Sequence, residues 1–219
     1  MFIRWRRFLS IRCSILTNMA EVEQPRSPRL SVQDWEAAAL EAIATGGLRA
    51  VAVEPLARVL GVTKGSFYAH FRNRRELVDA ALRNWERSHG AEGLAEFAAI
   101  SDPKERLRQV LVGAIAFSQS ARPSPHLSLL AEMDDETVRA AVHRVNESRV
   151  QLIADAYREL GMPRAQARRR AQLAYAAYLG LLQLARSEPD KIVSGAELNK
   201  MIDEALVALL PVRTAQDGG

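Results

Sequence analysis

The side chains with most chemistry to offer lie between Arg58 and Arg75. That stretch carries five basic groups, Arg58, Lys64, Arg72, Arg74 and Arg75, and no acidic one. Between them stand Thr63, Ser66, Tyr68 and His70, whose hydroxyl and ring groups can donate hydrogen bonds to an anion. Together these suit the phosphates of a DNA duplex, which position a protein through Lys, Arg, hydroxyl and backbone N–H contacts. Gly65 has no side chain, so the backbone there can approach DNA closely. Other chemistry is poorly served. The chain has no glycine-rich phosphate loop, no GxSxG elbow, no HExxH pair, and a single cysteine, Cys13. His126, Glu132, Asp134 and His143 lack the tight spacing of a metal site. A binding protein rather than an enzyme is expected, with neither cofactor nor metal.

These groups need a frame that holds them outward. Residues 53–71, VEPLARVLGVTKGSFYAHF, read as two short helices crossing over a tight turn. Ala57 is small enough for the crossing, Gly61 can take positive φ in the turn, and Leu56, Leu60, Val62 and Phe67 supply apolar contacts. Phe67 and Phe71, four apart, face inward, leaving Thr63, Lys64, Ser66, Tyr68 and His70 on the outer side. His70 reads equally well as a packing residue at the next helix junction. Pro55 is tolerated because first-turn N–H groups have no helical partner. A helix capped by Ser31, with Trp35, Ala38, Ala39, Ala42 and Ile43 on one face, precedes this unit and ends at Gly46 and Gly47. Another, from Arg74 to about His89, follows it.

The pattern Gly61, Val62, Thr63, then Gly65, Phe67, Tyr68, His70, Phe71, followed by Arg74 and Leu77, resembles the DNA-binding region of the tetracycline-repressor (TetR) family of transcriptional regulators. The likeness covers about residues 30 to 77, with two departures: Ala52 stands where the family often has a capping Thr, and Arg74 where it usually has Lys. Loss of the cap costs about 1 kcal/mol of helix stability. The resemblance implies that Thr63, Lys64, Ser66, Tyr68 and His70 lie on or beside a recognition helix at the major groove of an operator, with Arg58, Gly65, Arg72, Arg74 and Arg75 completing the DNA-binding set. It further implies a C-terminal domain that binds a small effector and dimerises through its last two helices.

The rest of the chain fits an all-α protein. Apolar residues recur at three- and four-residue spacing, and helices are expected at about 103–121, 125–133, 135–160, 163–186 and 195–210, punctuated by Gly161, Pro163, Pro189 and Gly195. The expected division is residues 30–75 as a three-helix DNA-binding domain and 76–219 as an effector-binding and dimerisation domain. Ala174, Tyr178, Leu181 and Leu182, with Leu198, Ile202, Leu206 and Leu209, form apolar faces expected to make a homodimer interface, against the alternative of intrachain core. Trp85, Phe97, Phe117, His126, Met133, His143 and Tyr157 are the expected lining of the effector pocket.

Charge and composition set outer limits. The net charge of +4 is carried entirely by Arg4, Arg6, Arg7 and Arg12, because the remaining chain holds 26 basic and 26 acidic residues. Residues 1–29 are expected to be a disordered or mis-assigned N-terminal extension, with synthesis starting at Met19 in the second case. No charge-free run reaches the ~18 residues of a membrane helix, so no membrane partner is expected. One cysteine requires no oxidising compartment, which fits a cytoplasmic location. A helical adaptor that binds no DNA is the competing reading, and it would need an acidic or apolar recognition face.

Overall fold

A computed structural model of the chain describes residues 30–120 and 122–210. Among them are ten α-helices and no strand: α1 (Val32–Gly46), α2 (Val53–Val59), α3 (Lys64–Tyr68), α4 (Arg74–His89), α5 (Ala95–Ala98), α6 (Pro103–Ser118), α7 (Pro125–Leu130), α8 (Glu136–Glu159), α9 (Arg164–Ser187) and α10 (Gly195–Leu209). The all-α architecture is therefore as expected. The readings made for residues 1–29 lie outside the described residues.

Local sequence explains the helix ends. Ser31 and Asp34 cap α1 reciprocally, the Ser31 hydroxyl accepting from the Asp34 N–H while the Asp34 carboxylate accepts from the Ser31 N–H at 2.8 Å. Asn73 caps α4 by accepting from the Glu76 N–H at 3.0 Å, and Asp135 caps α8 by accepting from Thr137 and Val138. Ala52, at the N-cap of α2, has no side-chain bond to give, as the sequence implies. Residues 90–102, which the sequence pattern leaves without a helix, contain the single turn of α5. Gly93 is needed just before it, because a Cβ there would lie 1.8 Å from the Ser88 carbonyl oxygen.

Two apolar cores run through the molecule. The first joins Trp35 and Ile43 of α1, Leu56, Phe67 and Phe71 of the helix-turn-helix, and Leu77, Leu82 and Trp85 of α4 to Leu129 of α7 and Val138, Val142 and Val145 of α8. The second gathers Leu107 and Leu111 of α6, Ile153 and Tyr157 of α8, and Ala167, Ala171 and Tyr175 of α9, with Leu206 and Leu209 of α10 against it. Helix α8 is long enough to enter both. The first core crosses residue 75, so the expected division at 75/76 does not fall between two cores.

Candidate nucleic-acid interface and effector cavity

The turn between α2 and α3 closes as a Schellman motif. The Val62 N–H donates to the Ala57 carbonyl at 2.9 Å and the Gly61 N–H to Arg58 at 3.2 Å, with Gly61 at φ +69°. Only glycine takes that conformation without strain, which is why the turn falls at Gly61. Behind it, Phe67 is completely buried, meeting the Trp35 ring edge-on at 5.4 Å and the Phe71 ring at 5.6 Å. Anchored from below, α3 shows Thr63, Lys64, Gly65 and Tyr68 to solvent, with Ser66 and His70 half-buried. Tyr68 is 57% exposed, a large ring left in water beside the basic residues.

The expectation of five uncompensated charges is corrected by the fold. Lys64 Nζ sits 2.8 Å from Glu54 Oε1, because the crossing brings the first turn of α2 beside the start of α3. The contact lowers the Glu54 pKa and raises that of Lys64. Arg75 pairs with Asp79 at 2.8 Å and with Asp135 at 2.6 Å. Arg74 donates to the Val51 carbonyl at 2.6 Å and to that of Leu48, tying α4 to the segment before α2. Arg58 and Arg72 form no ion pair among the described residues. Lys64, Tyr68, Arg58 and Arg72 are thus the groups offered outward, whereas Arg74 and Arg75 fix the frame.

The C-terminal half differs more from expectation. A cavity of about 240 Å³ lies among the end of α4, the α5 region and helices α6, α8, α9 and α10. Of the seven expected lining residues, Phe97 and Phe117 line it. His126 stands just behind the wall, bonded to Arg149, which does line it. Trp85 is fully buried in the first core, edge-on to His126 at 5.4 Å. Tyr157 is buried in the second core, its hydroxyl donating to the Leu209 carbonyl at 2.6 Å. Met133 packs on the first core and His143 is exposed on α8. These placements follow from helical phase: His143 sits one residue past buried Val142, on the outer side of the helix.

The sequence reading missed Arg149, His89 and Tyr175. Arg149 Nη1 approaches His126 Nδ1 at 3.2 Å, and its Nε donates to the His89 carbonyl at 3.3 Å. Its guanidinium stands 6.0 and 5.8 Å from the ring centres of Tyr175 and Tyr178. The Tyr175 hydroxyl donates to Asn146 Oδ1 at 2.8 Å and lies 3.4 Å from His126 Nε2. Burial, with help from the Arg149 charge, lowers the pKa of His89 to about 4 and of His126 to about 3. Burial also raises Tyr175 to about 12. Both imidazoles are therefore neutral near pH 7. The only sequence signal for Arg149 was a charge one residue from Val150 on an otherwise amphipathic helix.

The faces expected to dimerise are in part engaged within one chain. Ala174 and Leu182 are buried within one chain, Tyr178 and Leu181 line the cavity, and Leu206 and Leu209 pack on the second core. Leu198 and Ile202 are half-buried. The apolar side chains of α9 that reach solvent are Leu173, 69% exposed, and Leu184, 54% exposed, with exposed Ala177 and Gly180 between them. Val207 on α10 is 76% exposed. Intrachain packing took the wider face and left a narrower one free.

No group of three His, Cys, Asp or Glu side chains among the described residues could hold a metal ion, and no helix is long and apolar enough to cross a membrane. Residues 37–81 match the model of bacterial regulatory proteins of the tetR family. No curated protein matches the sequence. Among solved structures, a TetR transcriptional regulator from Legionella pneumophila superposes with a TM-score of 0.70 at 13% identity, over 83% of this chain and 98% of that one. A TetR-family regulator from Agrobacterium tumefaciens gives 0.66 at 22% identity, over 82% and 97%. One from Cytophaga hutchinsonii gives 0.63 at 18%, over 89% and 100%. Residues 37–81 thus match the DNA-binding domain of the tetR family, and the described chain shares its fold with solved TetR regulators.

Proposed function

We propose that the protein is a homodimeric, effector-responsive regulator, most simply a repressor, that binds a palindromic operator through α3 of each subunit. It acts by binding and not by catalysis, in the cytoplasm where the DNA lies. The observation that carries this reading is the pairing of an outward-facing recognition helix with a separate apolar cavity in one chain. Residues 30–75 would contact DNA and residues 76–219 would bind effector and partner. Lys64 would exchange Glu54 for a phosphate on binding, an exchange between two exposed contacts that costs little. A two-fold axis beside Leu173, Gly180 and Leu184 would bring two copies of α9 together, with small residues permitting close approach. Effector binding would favour a spacing of recognition helices that no longer matches major grooves about 34 to 36 Å apart.

Contacts between the halves give such a shift a route. Glu132, in the α7–α8 connection, accepts from the Leu48 N–H at 3.3 Å, and Ser128 of α7 donates to the Ala44 carbonyl at 3.0 Å. Within residues 76–219, Arg144 of α8 holds Glu86 of α4 through two hydrogen bonds, at 2.5 and 2.8 Å, tying the helix that follows the helix-turn-helix to α8.

The test begins with in vitro selection of bound duplexes, followed by titration of the selected site at several salt concentrations. Log affinity should fall with log salt by about 0.9 per phosphate neutralised, and Lys64→Ala should lower that slope by about one contact. A flat salt dependence, or a Lys64→Ala variant with unchanged affinity, would count against α3 as the reading helix. In sedimentation, Leu173→Glu should yield folded monomers, whereas Leu206→Glu should unfold the second core; a persistent Leu173→Glu dimer would place the interface elsewhere.

A further inference from the structure

Among the described residues the cavity walls contain no aspartate or glutamate, and Arg149 is their one charged side chain. Arg149 forms no ion pair among the described residues; it donates to a backbone carbonyl and to a neutral imidazole, both beyond 3.1 Å, and otherwise interacts with the neutral Tyr175 and Tyr178 side chains. A guanidinium facing apolar walls without a counter-ion is costly, and buried cations are ordinarily paired with an anion. The surrounding groups hold it in place without neutralising it. His126 Nδ1 accepts from Arg149, so its proton lies on Nε2, aimed at the Tyr175 oxygen, and the Tyr175 proton goes on to Asn146. This chain of neutral groups fixes the charge at the cavity wall. Phe97, Ile115 and Phe117 add apolar surface to the same walls.

Size narrows the ligand further. An apolar cavity of about 150 Å³ takes benzene, roughly 25 Å³ per non-hydrogen atom. On that scale 240 Å³ takes about ten such atoms. We propose that the cavity binds a small organic monoanion of about this size, its carboxylate paired with Arg149 beside the Tyr175 and Tyr178 rings and its apolar body lying along α6. This rests on the reading of the cavity as the effector site and adds the ligand's chemical class. A guanidinium recognises a carboxylate through two parallel N–H bonds, which a neutral or cationic ligand of equal length cannot supply.

Octanoate, 1-octanol and octylammonium, matched in length, can be titrated calorimetrically into the full-length protein. Octanoate should bind at least about tenfold more tightly than octanol, and octylammonium more weakly than either. Arg149→Met should abolish that order and leave octanol the better ligand, while Arg149→Lys should keep part of it. Should Arg149→Met fail to fold, the wild-type order still decides. Ala114→Trp, which fills the cavity, should abolish octanoate binding and so locate the site. Equal binding of octanoate and octanol, preference for the cation, no octanoate binding, or octanoate binding that survives Ala114→Trp would each overturn the proposal. If octanoate binds in an Arg149-dependent way but leaves operator DNA bound, the ligand class stands and the effector reading fails.

Discussion

The two functional regions handle positive charge in opposite ways. At the DNA-facing end the cations are many, exposed and mostly engaged: Lys64 with Glu54, Arg75 with Asp79 and Asp135, Arg74 with backbone carbonyls. At the cavity there is one, Arg149, held among neutral rings with no carboxylate beside it. Exposed pairs are screened by water and salt and are worth little each, so they can be exchanged for phosphates readily. A charge facing low-dielectric walls interacts strongly with whatever comes near. The first arrangement suits many weak, reversible contacts over a long polymer; the second suits one decisive contact with a small molecule.

The largest expected effect tests whether the two regions stand on separate cores. Trp35→Ala removes the ring against which Phe67 packs and should destabilise by about 3 to 5 kcal/mol, lowering DNA affinity as α3 loses its footing. Leu111→Ala, in the second core, should cost about 2 to 5 kcal/mol yet leave DNA affinity of the folded protein nearly unchanged. Denaturant unfolding with DNA titration distinguishes them. Equal losses of DNA affinity would dissolve the distinction.

A smaller effect is confined to the cavity side and appears with acid. His89 and His126 have folded-state pKa values of about 4 and about 3, below the unfolded value near 6.5. Below 6.5 the unfolded chain therefore binds protons that the folded chain refuses. The stability these groups contribute is fully present above about 6.5 and is lost as pH falls from there toward 4. Each ring should cost as much as ~2 kcal/mol at pH 5. The carboxylates with lowered pKa act further down, the Glu105 contribution being lost as pH falls from about 4.5 to about 2. Unfolding measured at pH 7 and pH 5 should show that His126→Gln has lost part of the slope; a wild-type stability that is flat between those values would refute the account.

The smallest effect concerns the joint between halves. Glu132→Ala removes the acceptor for the Leu48 N–H and should cost about 1 kcal/mol. Its sharper readout is coupling: effector should release DNA less completely in the variant, whereas unchanged release would exclude this contact from the route.

Most of the DNA-facing end was legible because its determinants are local. Gly61 in the turn, Phe67 and Phe71 facing inward, and Ser31 at a helix start are all read within a few residues. The pairing of Lys64 with Glu54 was less so, since ten residues of chain separate them and only the helix crossing joins them. The cavity was mostly illegible for the same reason. Arg149, His126 and Tyr175 come from three helices, and periodicity gives each helix an apolar stripe without saying which neighbour covers it. Ala174 and Leu206 show this: both lie on real stripes, and both stripes are consumed inside the chain. The apolar side chains of α9 left exposed lie on the residue-173 side, which the wide apolar face of α9 concealed.

The first core has a practical consequence for anyone wishing to rewire this protein. Trp35, Phe67 and Leu77 share their apolar surroundings with Leu129, Val138, Val142 and Val145. A chimera that transplanted only residues 30–75 onto another effector domain would have to recreate half of that interior in a foreign host. The exchangeable cassette for moving its DNA specificity runs to about residue 145, so the scissors belong midway along α8.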